Sequence, residues 1–261
     1  MSSIRRSVQV MELLARKSPL GVRAIAAQLA LPLGSVHRLL LDLEEEGIVD
    51  RPLSGEWELS FKLLEIVGLQ LERIHFPALC RPFAEQLAET TRETVNINVL
   101  SGLHGITVDK VRGNENMQLD TRIGSRGPLH CGGAGKAMLA FLDEEDQERF
   151  LSGPLEALTA KTFTDPAALR RELKRIRERG YSIDDQEVVI GVYCVAVPIL
   201  DAQSRPVGAM SITGPSPKAA GPGVQPLVDK LNEACGYVSR KLGYRGDYPL
   251  GVALVPNRRR A

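Results

Sequence analysis

The segment Gly132-Gly133-Ala134-Gly135-Lys136 has the residue types of a phosphate-cradling loop, glycines for close backbone approach and a lysine for charge. The match to such a loop is incomplete. His130 stands where the first glycine belongs and Ala137 where a Ser or Thr would hold magnesium, so the segment is not a nucleoside triphosphatase site. Small residues opening a helix have a more general use: they leave backbone N–H groups open at the positive end of the helix dipole, which suits a carboxylate. The same small residues also serve as a packing device, and at the level of sequence both readings stand. The four cysteines, Cys80, Cys131, Cys194 and Cys235, lack the paired spacing of a zinc or redox site and are expected to be reduced, buried thiols. His130, Cys131 and Cys194 have metal-binding side chains without ligand spacing, so neither a metal nor a cofactor is expected. The chain holds no GxSxG elbow and no HExxH pair, and no catalytic residue is assigned.

A second group of residues has chemistry suited to nucleic acid. Net charge over the whole chain is only +1, but residues 1–40 carry Arg5, Arg6, Arg16, Lys17, Arg23 and Arg38 against Glu12 alone. Residues 41–73 then carry three bases and nine acids, so bulk charge cannot hold the first module on DNA and placement must. Ser35, His37 and Arg38 open a helix free of acids at that end, whereas Asp42, Glu44, Glu45 and Glu46 gather at the other. The N-terminal end of a recognition helix is the part that meets base edges in the major groove. Arg6 and Arg51 are placed to neutralise flanking phosphates, which fixes position but not sequence preference.

These residues need elements to hold them. Ile4, Val8, Met11 and Leu14 repeat at helical spacing, a short helix follows over Val22–Leu29, and residues 30–34 make a tight connection. Val36, Leu39, Leu40 and Leu43 then define a third helix from Ser35 to about Glu46, giving a helix-turn-helix. Residues 48–51 and 56–59 read as two strands of a β-wing joined by a turn at 52–55. Over 60–73 an apolar stripe of Leu63, Leu64, Ile66, Val67 and Leu71, continuing to Ile74, requires burial, against either its own winged helix or a second copy. Pro77 and Pro82 mark the boundary to the next domain. Beyond it, strands are predicted at 94–100, 105–111, 193–200 and 206–213. Asp165-Pro166 starts a helix that Gly180 ends, and a final helix carries Leu227, Leu231, Ala234, Val238 and Leu242 on one face.

The order of these features resembles the IclR family of bacterial transcription regulators. The resemblance rests on Arg6-Ser7-Val8, Leu31-Pro32 and Ser35-Val36-His37-Arg38-Leu39-Leu40 in the first module. In the second it rests on Gly127-Pro128-Leu129-His130, Gly133-Ala134-Gly135-Lys136-Ala137, Arg177-Glu178-Arg179-Gly180-Tyr181 with Asp184, Asp185, Glu187 and Gly191, Cys194-Val195-Ala196-Val197-Pro198, and Gly208-Ala209-Met210-Ser211-Ile212-Thr213-Gly214. The resemblance implies an α+β protein: a winged helix-turn-helix over 1–59, a linker helix over 60–76, a GAF-like α/β effector-binding domain over 77–246 and a tail over 247–261. It implies backbone donors at Gly133 and Ala134, and effector contacts from Asp184, Cys194, Ser211 and Thr213. Asp184 as a turn cap, and Ser211 and Thr213 as simple strand alternation, remain open beside those roles. Two departures are visible: Leu33 and Gly34 replace polar or basic residues before the recognition helix, and Gly127 replaces a bulkier apolar residue of the effector pocket.

The expectation is a DNA-binding regulator, repressor or activator, with a double-stranded operator and a small organic-acid effector as partners, acting as a homodimer or dimer of dimers. No run approaches the ~20 apolar residues of a bilayer span and no leader is evident at Met1-Ser2-Ser3, so a cytoplasmic protein without a membrane partner is expected. The competing classes are a sensor whose winged helix docks protein and an enzyme acting on small organic acids. Arg258-Arg259-Arg260 is assigned no role.

Overall fold

A computed structural model describes residues 2–52, 55–73, 76–113, 122–215, 223–248 and 250. The chain divides into two compact units, 1–75 and 76–261. The side chains at Leu71 and Ile74, part of the wing turn at 52–55, and the arginines at 258–260 lie outside the described residues.

In the first unit, α1 (Ser3–Arg16), α2 (Val22–Leu29) and α3 (Leu33–Glu45) precede the paired strands β1 (Val49–Asp50) and β2 (Glu58–Leu59), and α4 (Lys62–Arg73) follows. The apolar periodicity is resolved as one core: Val10 and Leu14 of α1, Ile25 and Ala26 of α2, and Val36, Leu40 and Leu43 of α3 pack with Val49 and Trp57. Helices α2 and α3 are bent by 116° at their junction, within the ~90–120° of a helix-turn-helix. The third helix starts at Leu33, two residues before the expected Ser35. Pro32, at φ −59°, supplies the turn into it, so Leu33 and Gly34 belong to its first turn and not to the connection.

The second unit contains α5 (Phe76–Thr91), β3 (Thr94–Ser101), β4 (His104–Val111), β5 (Arg126–Pro128), α6 (Gly133–Phe141), α7 (Glu144–Leu151), α8 (Pro166–Arg179), β6 (Ser182–Asp185), β7 (Tyr193–Leu200), β8 (Pro206–Gly214) and α9 (Gln225–Lys241). Its strands form one antiparallel sheet in the order β5-β4-β3-β8-β7-β6. Alternation sorts the side chains by face. Phe76 of α5 approaches Gly208, and Cys235 of α9 reaches the Val197 carbonyl, so α5 and α9 cover one face. On the other, Gly133 of α6 lies against Cys194 and Ala196. Arg177 of α8 caps the C-terminal end of α6 by donating to the carbonyls of Ala140 and Leu142.

The prolines at 77 and 82 follow the division at 75/76 and both lie within α5, the first helix of the second unit. Pro77 falls in the first turn, where its missing N–H costs nothing, and Pro82 is exposed while Phe76, Cys80, Ala84, Leu87 and Ala88 hold the buried face.

Candidate DNA-reading helix and effector cavity

On α3 the buried residues Val36, Leu39, Leu40 and Leu43 define the inner face, which leaves His37 and Arg38 exposed. Ser35 sits at the edge of the inner face and is half-buried. Leu33 and Leu41, 47% and 42% exposed, are large apolar residues on the outer side, and of the two sequence reasoning did not single out Leu41. No acid occurs in the first turn of α3. Arg6 is half-buried on α1, its Nε buried without a hydrogen-bond partner. Arg51 is exposed but held locally: its guanidinium lies 5.3 Å over the Trp57 ring, and its Nε donates to the Gly55 carbonyl at 3.3 Å. The ring and the turn of the wing thus orient this arginine.

In the second unit, the start of α6 faces the sheet across a cavity of about 530 Å³. Gly133, Ala134, Asp184, Cys194, Ser211 and Thr213 all line it. Strand pairing explains how residues far apart in the chain converge. Asp184 is opposite Cys194, Cys194 opposite Thr213, and Ala196 opposite Ser211, so three strands present them from one face. Gly132 enters the helix at φ +74°, in the region that favours glycine, and a Cβ on Gly133 would stand 2.6 Å from Cys194 Sγ. The small residues are therefore a packing device, and the close packing is also what brings the uncapped first turn of α6 to the cavity: no side chain caps that turn.

Asp184 does act as a turn cap: it is 3% exposed, and its Oδ1 accepts the Glu187 N–H at 2.7 Å. Burial pushes its carboxyl above the ordinary aspartate range, against the opposing pull of that backbone donor and of Lys136. Burial likewise pushes the Cys194 thiol up to about 11, so it is a packed thiol and not a thiolate. Behind the cavity, Lys136 is 1% exposed, donates to the Ile183 carbonyl at 2.7 Å and pairs with Glu187. Thr159 and Thr162 hydroxyls hold the Gln186 and Glu187 carbonyls at 2.8 Å and 2.6 Å. These bonds fix the segment whose Val188, Val189 and Val192 form an apolar part of the wall. Gly127 also lines the cavity, and a Cβ there would meet no atom within 4 Å.

Sequence reasoning missed the wall on β3 and β4, where Asn96, Asn98 and Thr107, with Ser125, line the same cavity. Among the described residues, no three His, Cys, Asp or Glu side chains gather to hold a metal, and no single helix is long and apolar enough to cross a membrane.

A winged helix-turn-helix followed by a sheet that walls a ligand-sized cavity defines a DNA-binding regulator with a small-molecule sensing domain. Residues 3–52 match the IclR helix-turn-helix domain and residues 69–240 the bacterial transcriptional regulator IclR C-terminal domain. Transcriptional repressor IclR of Escherichia coli (strain K12) is 34% identical over 218 residues, 82% of this chain and 80% of that protein. IclR of Thermotoga maritima superposes with a TM-score of 0.78 at 30% identity, over 92% of this chain and 98% of that one. An IclR homologue from Microbacterium hydrocarbonoxydans, solved with 4-hydroxybenzoate, superposes at 0.80 with 26% identity, over 92% and 99%. The chain belongs to the IclR family of bacterial transcription regulators.

Proposed function

We propose that this regulator binds its operator through α3 and that a small organic acid, seated in the cavity, sets the strength of that binding. The observation that carries the reading is the convergence of Gly133, Ala134, Asp184, Cys194, Ser211 and Thr213 on one cavity. The uncapped start of α6 offers N–H donors to a carboxylate, Ser211 and Thr213 offer hydroxyls, and Asp184, whose carboxyl burial pushes above the ordinary aspartate range, borders the same space. The ligand of the Microbacterium relative is an aromatic monocarboxylic acid.

On the DNA side, His37 and Arg38 reach base edges, Ser35 contacts from the edge of the helix, and Arg6 and Arg51 meet phosphates. The protein acts as a homodimer or dimer of dimers. Leu64 and Leu69 of α4 are 64% and 67% exposed in the single chain, an apolar helix surface that a second copy would bury. Two copies are also what half-sites ~34 Å apart require. In this reading 1–59 is the DNA-binding domain, 60–76 the linker and 77–246 the effector domain, and the protein works in the cytoplasm without catalysing a reaction.

Calorimetry with a panel of small organic acids tests the cavity assignment. A ligand of the wild-type chain should fail to bind Asp184→Ala, while operator binding by the variant stays within about twofold of wild type. Unchanged acid affinity in that variant removes Asp184 from the site.

A further inference from the structure

The polar side chains of β3 and β4 carry the cavity beyond its acid-binding end, with Asn96 bordering that end beside Thr213 and Asn98 further along the strand. Asn96 and Asn98, two apart on β3, leave the same face roughly 6.6 Å apart and both line the cavity. Thr107 joins them because the β3–β4 ladder shifts between Ile97 and Asn98: Ile97 pairs with Asp109, but Asn98 pairs with Thr107. A regular ladder would put Val108 opposite Asn98 and send Thr107 to the other face, so this bulge re-aims a hydroxyl into the cavity.

Hydrogen bonds then orient the two amides in opposite senses. The Thr107 hydroxyl donates to Asn98 Oδ1 at 3.0 Å, with Ser125 Oγ 3.5 Å behind it. The carbonyl end of Asn98 is thereby used, and its Nδ2 donates to no described residue. Asn96 Nδ2 donates to Thr213 Oγ1 at 3.3 Å, and the Thr213 hydroxyl in turn lies within reach of Cys194 Sγ. Asn96 Oδ1 is left buried without a partner in a side chain only 4% exposed. Neighbouring positions on one strand therefore hold an unused donor and an unused acceptor. A carboxylate only accepts and an ammonium only donates, whereas a hydroxyl does both.

We infer that Asn96 and Asn98 form a hydroxyl-recognition subsite, so that the cavity selects an organic acid carrying a hydroxyl remote from its carboxylate. The inference rests on the organic-acid reading above and deepens it. Gly133 lies against Cys194 on β7, and β3 is two strands along in the order β3-β8-β7, roughly 9–10 Å away. The hydroxyl therefore belongs at the far side of a ring or six-carbon chain, not on the carbon next to the carboxylate.

The test is calorimetry of the full chain with two matched series: benzoate, 4-hydroxybenzoate and terephthalate, and hexanoate, 6-hydroxyhexanoate and adipate. In at least one series the hydroxy acid should bind about tenfold or more tighter than both its unsubstituted and its dicarboxylate counterparts. That advantage should shrink to about threefold or less in Asn98→Val or Asn96→Leu, while the unsubstituted acid binds Asn98→Val as it binds wild type; Asn96→Leu also frees Thr213 and is read by the ratio of the two acids alone. The inference is overturned if the hydroxy acid has no advantage in either series, a comparison that needs no variant, or if the full advantage survives in both variants. If acids bind without that advantage, only the subsite falls. If no acid of either series binds, the organic-acid reading falls with it.

Discussion

Replacing Lys136 by Met would show how much of the cavity wall depends on one buried charge. Lys136 is 1% exposed and Glu187 4%, so neither has water to fall back on. Met keeps most of the side-chain volume but removes the ammonium, stranding the Glu187 carboxylate and the Ile183 carbonyl that it now serves. Breaking a buried pair by removing one partner costs about 3–5 kcal/mol. For a unit the size of residues 76–261 that is a fall of roughly 6–20 °C in its melting transition. Burial already pushes the Glu187 carboxyl up to about 7, Lys136 opposing, and loss of the lysine raises it further. A raised carboxyl pKa gives stability that is present below the unfolded value near 4.5 and lost as pH climbs through the folded value. The deficit of the variant should therefore be small at about pH 6, clear at about pH 8.5 and still growing above that. The double variant Lys136→Met/Glu187→Leu, which leaves no charge behind, should recover most of the loss. Calorimetric melts of the full chain at both pH values decide the matter. A single variant within about 1 kcal/mol of wild type at the higher pH, or a double variant as unstable as the single, would refute the reasoning.

Three further outcomes follow. Arg38→Ala should weaken operator binding by about 1–3 kcal/mol in an anisotropy titration, with no change in melting, and wild-type affinity would remove Arg38 from the base-reading set. Gly127→Leu places four carbons where a Cβ meets nothing within 4 Å, so the fold should be intact in melts while the bulkier acids of a binding panel are lost and the smaller ones kept. Arg51→Ala frees the ring of Trp57 as well as removing a charge, so it should lower both the salt dependence of operator binding, by about one phosphate contact, and the stability of the first unit, by about 0.5–1 kcal/mol.

The parts of this molecule that were legible in the sequence are those where one periodicity operates without interference. Helix α2 and strand β7 occupy the residues that their patterns indicate, and Gly180, at φ +81°, ends α8 where expected. The helix over 76–91 was hidden because two prolines read as breakers, although its apolar residues repeat at four-residue spacing around them. The acid-binding half of the cavity could be named from the resemblance. The asparagine half could not, because Asn96 and Asn98 alternate with Val95, Ile97 and Val99 and so look like a solvent-facing side of a strand. Only the sheet, with helices against both faces, turns them inward, and only the bulge at Ile97/Asn98 adds Thr107. The structural role of Lys136 escaped notice for a related reason: a lysine among glycines and alanines suggests a phosphate-binding charge, and its partner lies 51 residues away.

The account depends on operator binding that a cavity ligand alters. The direct measurement is the anisotropy of labelled DNA from upstream of the gene, titrated with the full chain at several salt concentrations, with and without an acid that calorimetry shows to bind. The account predicts binding that weakens steeply with salt and an affinity that the acid shifts by roughly 5- to 150-fold. Binding that ignores salt, or an operator affinity unmoved by a saturating acid, would contradict it.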